Sequence, residues 1–177
     1  MQKAKKSITQ IYTGNGKGKT TAALGLMLRA VGSDLKVAMV QFLKGNKDSG
    51  EIKLIEERFP EIEAYQFGTD RFITKNNVQE EDRRKAENGF LKAKELITSE
   101  EFDLIVLDEI NVAIYFGIID KKEIIELIKN KPQNLELVLT GRYAPKEIIN
   151  LAELVTEMKD IKHPYNNGFQ ARKGIEY

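Results

Sequence analysis

From Thr13 to Thr21 the chain reads Thr-Gly-Asn-Gly-Lys-Gly-Lys-Thr-Thr, a run whose residue types suit the binding of a polyphosphate. Glycines let successive backbone N–H groups turn toward one anion, and a helix beginning behind them adds the positive end of its dipole. The candidate nucleotide-binding residues are Gly14, Asn15, Gly16, Lys17, Gly18, Lys19, Thr20 and Thr21. Lys19 can reach the outer phosphates as a point charge, and the Thr20 hydroxyl can ligate Mg²⁺. The usual pattern places a glycine five positions before Gly18, where this chain has Thr13, so the first turn of the loop is expected to differ.

Such a loop works only between a strand and a helix, and both flanks are legible. Ile8 to Thr13 is a short β-run, and Lys19 to Val31 has the alanine and leucine content of a helix. Further β-runs are expected at Lys36 to Phe42, Ile62 to Phe67, Asp103 to Asp108, Leu135 to Thr140 and Leu154 to Met158. Helices are expected at Glu51 to Phe59, Val78 to Thr98, Glu123 to Lys129 and Ala144 to Ala152. The stripe Ala86, Phe90, Ala93, Ile97 gives the long helix one apolar face. Asp120 with Glu123 fits an N-terminal capping box. Strands alternating with helices imply a P-loop NTPase-like (RecA-type) α/β fold, a mainly parallel sheet flanked by helices, because parallel neighbours need crossovers.

The run Leu104 to Leu107 lacks alternation, as in a strand buried on both faces, and it ends in Asp108-Glu109. Two carboxylates then stand at the C-terminal edge of a strand, where open α/β sheets bind ligands. With Thr20 they are the candidate metal ligands. A solvated strand end is the plainer reading of the same residues.

The 177 residues, 41% hydrophobic and 31% charged, suit one globular domain over 1–177. With 28 basic and 27 acidic residues the totals indicate no large nucleic-acid surface. The absence of cysteine excludes disulfides, thiolate metal sites and cysteine nucleophiles. No apolar stretch approaches membrane-spanning length and Met1 to Ser7 lacks a signal-peptide core, so a cytoplasmic location without membrane partners is expected.

A phosphate loop does not name a reaction, since it serves kinases, ATPases and enzymes that attack elsewhere on the nucleotide. Further segments do: Val40-Gln-Phe-Leu-Lys-Gly45, Val106-Leu-Asp-Glu-Ile110, Leu139-Thr-Gly-Arg142, Val155-Thr-Glu-Met158 and the ending from Lys162 to Tyr177. In this order, and with the loop, the chain resembles the ATP:corrinoid adenosyltransferases of cobalamin synthesis and salvage. The resemblance implies transfer of the 5′-deoxyadenosyl group of ATP to the cobalt(I) of a reduced corrinoid, with release of triphosphate. ATP and the corrinoid would be substrates and Mg²⁺ the metal. It also implies a homodimer and allows a flavoprotein as electron donor. A small-metabolite or nucleoside kinase, and a nucleotide-switched corrinoid- or protein-binding module, share the loop and stay open.

By the same resemblance Lys19 and the loop amides hold the triphosphate as it leaves. Glu109, beside Asp108, is the preferred metal group, and Arg142 is a candidate triphosphate contact, with an arginine capping a strand end reading nearly as well. In the irregular stretch Gly68 to Asn77, Phe72 matches an aromatic that helps detach the lower axial base from cobalt(II), while Thr74 stands where the family has a second one. Phe72 as an ordinary hydrophobic anchor is the competing reading. His163 reads as a packed or surface histidine rather than a cobalt ligand. The leader over residues 1–7 is expected to be flexible and is shorter than the segment that covers the site in some relatives. The tail, residues 162–177, is expected to order with ligand and to serve as a lid.

Overall fold

A computed structural model of the chain describes residues 7–45, 49–163 and 168–175. The expected leader therefore lies, apart from Ser7, outside the described residues, as do 164–167 and 176–177 of the expected tail. The elements run β1 (Thr9–Thr13), α1 (Lys19–Val31), β2 (Val37–Phe42), α2 (Gly50–Arg58), β3 (Ile62–Phe67) and α3 (Glu80–Thr98). They continue with β4 (Leu104–Asp108), α4 (Ile110–Tyr115), α5 (Lys121–Asn130), β5 (Glu136–Thr140), α6 (Lys146–Ile149) and β6 (Leu154–Glu157).

The strands form one sheet in the order β3-β2-β4-β5-β1-β6, and every pair is parallel. This is the P-loop NTPase-like α/β arrangement. β5 is inserted between the strand that feeds the phosphate loop and β4, which ends in the two carboxylates. Because side chains alternate across a strand, each central strand serves two cores. Ala38, Val40, Phe42, Ile105, Leu107, Leu137 and Leu139 face α3 to α6. Val37, Met39, Leu104, Val106 and Val138 face α1 and α2.

The register decides where the polar residues go. Gln41 pairs with Asp108, Leu107 with Leu139, and Tyr12 with Thr140, so Gln41, one residue before the end of β2, lies in one row with Asp108 and Thr140 at the ends of β4 and β5. Each continues the series that faces α1, namely Val37-Met39-Gln41, Leu104-Val106-Asp108 and Val138-Thr140. The row is therefore presented to the beginning of α1, where Thr20 lies.

Three local expectations are corrected. The helix α4, directly after Glu109, was not anticipated. The capping box on α5 is half present: Asp120 accepts the Lys122 N–H at 2.9 Å, but Glu123 turns away to pair with Lys94 at 3.1 Å. The helix expected over Ala144 to Ala152 is reduced to α6, because Pro145 sits at its N-cap and the backbone turns off at Asn150.

Candidate active site

Asp108 is fully buried, and each carboxylate oxygen receives two donors. Oδ1 accepts from the Thr140 hydroxyl at 2.6 Å and the Thr20 hydroxyl at 2.9 Å. Oδ2 accepts from Lys44 Nζ at 2.8 Å and Gln41 Nε2 at 3.1 Å. A buried charge needs this many partners to remain ionised. Burial alone would raise the Asp108 pKa, but the Lys44 charge and the bonds from Lys44, Thr140 and Thr20 outweigh it and hold the carboxyl below its ordinary value.

Glu109 stands in a different environment. Burial and the neighbouring Asp108 charge raise its pKa, with Lys44, Lys19 and Arg142 partly offsetting them. Its backbone is in the left-handed region at φ 61°, a conformation costing a non-glycine residue about 1–2 kcal/mol. The Thr140 hydroxyl accepts the Glu109 N–H at 3.0 Å, and the carbonyl of Glu109 begins α4 by accepting from Val112 and Ala113. This bend turns the Glu109 side chain out of the β4 row, and its carboxylate has no hydrogen bond among the described residues.

The phosphate loop closes onto β6. Gly18 is the N-cap of α1 at φ 118°. Lys19 is almost buried and donates from Nζ to the carbonyls of Gly14 at 2.8 Å and Gly16 at 2.7 Å. Burial lowers the Lys19 pKa, and Glu109 works against that. The Gly16 N–H donates to the Met158 carbonyl at 2.7 Å. Thr13, in place of the usual glycine, ends β1 and accepts the Ala144 N–H on its hydroxyl at 3.3 Å, tying the loop to the chain leaving β5.

A cavity of about 560 Å³ opens at this edge and is walled by Lys19, Thr20, Lys44, Glu109, Arg142 and His163. Lys17, Thr21 and Gly174 also reach it. A larger recess of about 770 Å³ lies on the other face of the sheet, against α3, α4 and α5, away from this charged row. The oxygen donors Thr20, Asp108 and Glu109 have the chemistry of a hard divalent cation site. Among the described residues no group of three or more His, Asp or Glu side chains gathers as a metal cage. Substrate oxygens would have to complete such a site.

The ATP:corrinoid adenosyltransferase family BtuR/CobO/CobP matches residues 5–177. A corrinoid adenosyltransferase of Sinorhizobium sp. is 39% identical over 173 residues, covering 97% of this chain and 81% of the relative. Those of Pseudomonas aeruginosa and Escherichia coli K12 are 35% and 33% identical over 172 residues, covering 97% of this chain and 84% and 86% of theirs. The chain belongs to this family. The matched span, residues 5–177, includes the phosphate loop, the β4 carboxylates and the Leu-Thr-Gly-Arg segment of this adenosyltransferase family member.

Of the residues expected to act in an adenosyltransferase, Lys19, Thr20, Glu109 and Arg142 line the cavity, and Asp108 lies beneath it. Phe72 lies outside it, on the segment between β3 and α3. Asp82 pins that segment by accepting from Thr69 at 2.8 Å, Arg71 at 2.6 Å and the Gln79 N–H at 2.8 Å. Ile73 is buried, whereas Phe72 is 87% exposed, so the reading of Phe72 as hydrophobic anchor is overturned: Ile73 is the anchor. Asn77 fixes the turn through the Thr74 N–H and the Phe72 carbonyl. At the other end of the chain, Lys17 donates to the Ile175 carbonyl at 2.7 Å, which brings the tail against the loop.

Sequence reasoning gave no role to Gln41, Lys44 or Thr140. Each lies at or just past the end of an apolar β-run, as Asp108 does, and that shared position was the available signal. It also missed the stacked pair Tyr115 and Tyr143, with ring centroids 4.1 Å apart and the Lys75 ammonium 4.9 Å from the Tyr115 ring.

Proposed function

We propose that the chain transfers the 5′-deoxyadenosyl group of ATP to the cobalt of a reduced corrinoid, in the synthesis or salvage of adenosylated cobalamin. The electron pair of cobalt(I) forms the bond to C5′, the C5′–O bond breaks, and its electrons leave on triphosphate. One observation carries this reading: in a member of this family, Lys19, Thr20, Glu109 and Arg142 converge on one cavity at the C-terminal edge of the sheet. No serine, cysteine or histidine base is required.

The protein's part is positioning and charge. Lys19, held by two loop carbonyls, aims its ammonium along the loop toward the polyphosphate. Arg142 offers a planar fork that matches phosphate oxygens, which a lysine cannot reproduce. Thr20 and Glu109, with Asp108 behind them, would hold Mg²⁺, which when bound supplies neutralisation of the charge on the departing triphosphate. Phe72, exposed on a pinned loop, would meet the lower face of a corrinoid in the cobalt(II) state. The tail that touches Lys17 is a lid over the nucleotide. A homodimer, a flavoprotein electron donor and a cytoplasmic location belong to the same reading; among the described residues no helix is long and apolar enough to cross a membrane.

An anaerobic assay with ATP, Mg²⁺ and chemically reduced corrinoid tests the proposal. Equimolar triphosphate and a light-sensitive alkyl-cobalt spectrum are expected. ADP with a phosphorylated acceptor would replace the reading by a kinase, and ATP binding without any alkyl product by a switched binding module.

A further inference from the structure

Lys44 sits where the metal chemistry of the site would place a cation. Its ammonium is 2.8 Å from Asp108 Oδ2 and 3.3 Å from the Thr20 hydroxyl oxygen, so one charge spans both groups. Thr20 donates to Asp108 Oδ1 and accepts from Lys44, so the ammonium lies on the acceptor side of the hydroxyl that a metal would use. A divalent ion bound through Thr20 and Asp108 would meet the Lys44 charge at contact range. The two cations exclude each other there.

The backbone that carries Lys44 is packed closely against the segment leaving β3. A side chain at Gly45 would meet the Gly68 and Thr69 backbone within 2.5–2.9 Å, and one at Gly68 would collide with the backbone of Lys44. Strand β2's continuation is thus laid directly on the segment leaving β3, and the Leu43 N–H is bonded to the Phe67 carbonyl at 2.9 Å. The Lys44 side chain, 32% exposed and lining the cavity, has room to swing away from Asp108. An arriving polyphosphate offers its ammonium new anionic partners in that cavity. Asp108 keeps three donors when Lys44 leaves: Thr140, Thr20 and Gln41.

We infer that Lys44 is a tethered counter-ion that competes with a metal ion for the Thr20–Asp108 cation position and yields it only when the polyphosphate enters. Metal therefore binds with the nucleotide and not ahead of it. The inference rests on reading Thr20, Asp108 and Glu109 as the metal edge of the nucleotide site, but not on which bond of the nucleotide is broken.

The test is Mn²⁺ binding to the full chain without nucleotide, followed by the electron paramagnetic resonance signal of free Mn²⁺. Lys44→Met, which keeps the stem and removes the charge, should bind Mn²⁺ at least about tenfold more tightly than the wild type, and adding Glu109→Gln should remove the gain. Lys44→Gln, which keeps a donor toward Asp108, should gain in the same way, while Lys44→Arg should not. Folding of each variant is checked by circular dichroism, and either folded neutral variant suffices. An unchanged or weaker Mn²⁺ affinity in a folded neutral variant overturns the inference. Since no corrinoid is present, failure here is distinct from failure of adenosyl transfer, which the triphosphate assay reports.

Discussion

Two side chains at the start of α1 bear most of the proposed chemistry, and they fail in different ways. Lys19 is held straight by the Gly14 and Gly16 carbonyls, so Lys19→Ala removes a fixed charge and leaves those carbonyls without their donor. Turnover should fall by about 10²–10³-fold or more, the scale of losing one preorganised charge-stabilising donor. Thr20→Ala should cost a similar factor and in addition weaken the Mg²⁺ dependence of ATP binding, because the hydroxyl also braces Asp108. Triphosphate release by either folded variant at the wild-type rate would remove the loop from the mechanism. Gly16 is a third sensitive residue: a methyl group there would lie 2.8 Å from the Met158 and Lys159 backbone. Gly16→Ala should therefore push the β6 exit away, break the Gly16 to Met158 bond and lower ATP affinity, as titration calorimetry can measure. At this scale the sequence exposed the residues that act through a contiguous motif. Gln41, Lys44 and Thr140 stayed hidden because their meaning comes from strand register, which no local spacing encodes.

The segment between β3 and α3 shows what an element contributes beyond its residues. Its shape depends on one buried carboxylate. Burial would raise the Asp82 pKa, but the Gln79 N–H, the Thr69 hydroxyl and Arg71 outweigh it and hold the group below its ordinary value. A carboxyl whose folded pKa is depressed stabilises fully above its unfolded value, about 3.9, and loses that contribution as pH falls through the folded value. Asp82→Asn should thus cost about 1–3 kcal/mol at neutral pH, and the gap to wild type should close below about pH 4 in urea unfolding. A constant gap across that range would show that charge plays no part. Phe72 rides on the same segment and, at 87% exposure, contributes little packing. Phe72→Ala should leave stability within about 0.5 kcal/mol. It should slow the reaction begun from cobalt(II) far more than the one begun from cobalt(I), and equal losses in the two assays would remove the base-displacement role. Most elements were legible because apolar runs and periodic stripes mark buried strands and helices. The exception, α4, is six residues with no polar face and a glutamate as N-cap, so its apolar run looks like any other. Its start is braced by the Thr140 hydroxyl, which accepts the Glu109 N–H and is a tertiary contact.

At the scale of the whole molecule, the site joins strands that are far apart in sequence: β1 supplies the loop, β4 the carboxylates and β5 the threonine and Arg142. The parallel order and the α/β class could be inferred from alternation of elements. The insertion of β5 between β1 and β4 could not, since it is fixed by packing on both faces of the sheet. On the proposed function, a polyphosphate bound at this edge would add a further clamp between these elements. Binding should therefore stabilise the fold as a unit, by about 2.7 kcal/mol at a hundredfold excess over Kd. For a chain of 177 residues that corresponds to a rise in Tm of roughly 5–10 °C. If the loop grips the triphosphate rather than the nucleoside, inorganic triphosphate with Mg²⁺ should reproduce most of the shift given by ATP with Mg²⁺, and AMP should give almost none. In Lys19→Ala the triphosphate shift should vanish. A shift from AMP equal to that from ATP, insensitive to Lys19, would mean that the nucleoside end does the holding and that the charged edge described here is not what the substrate binds.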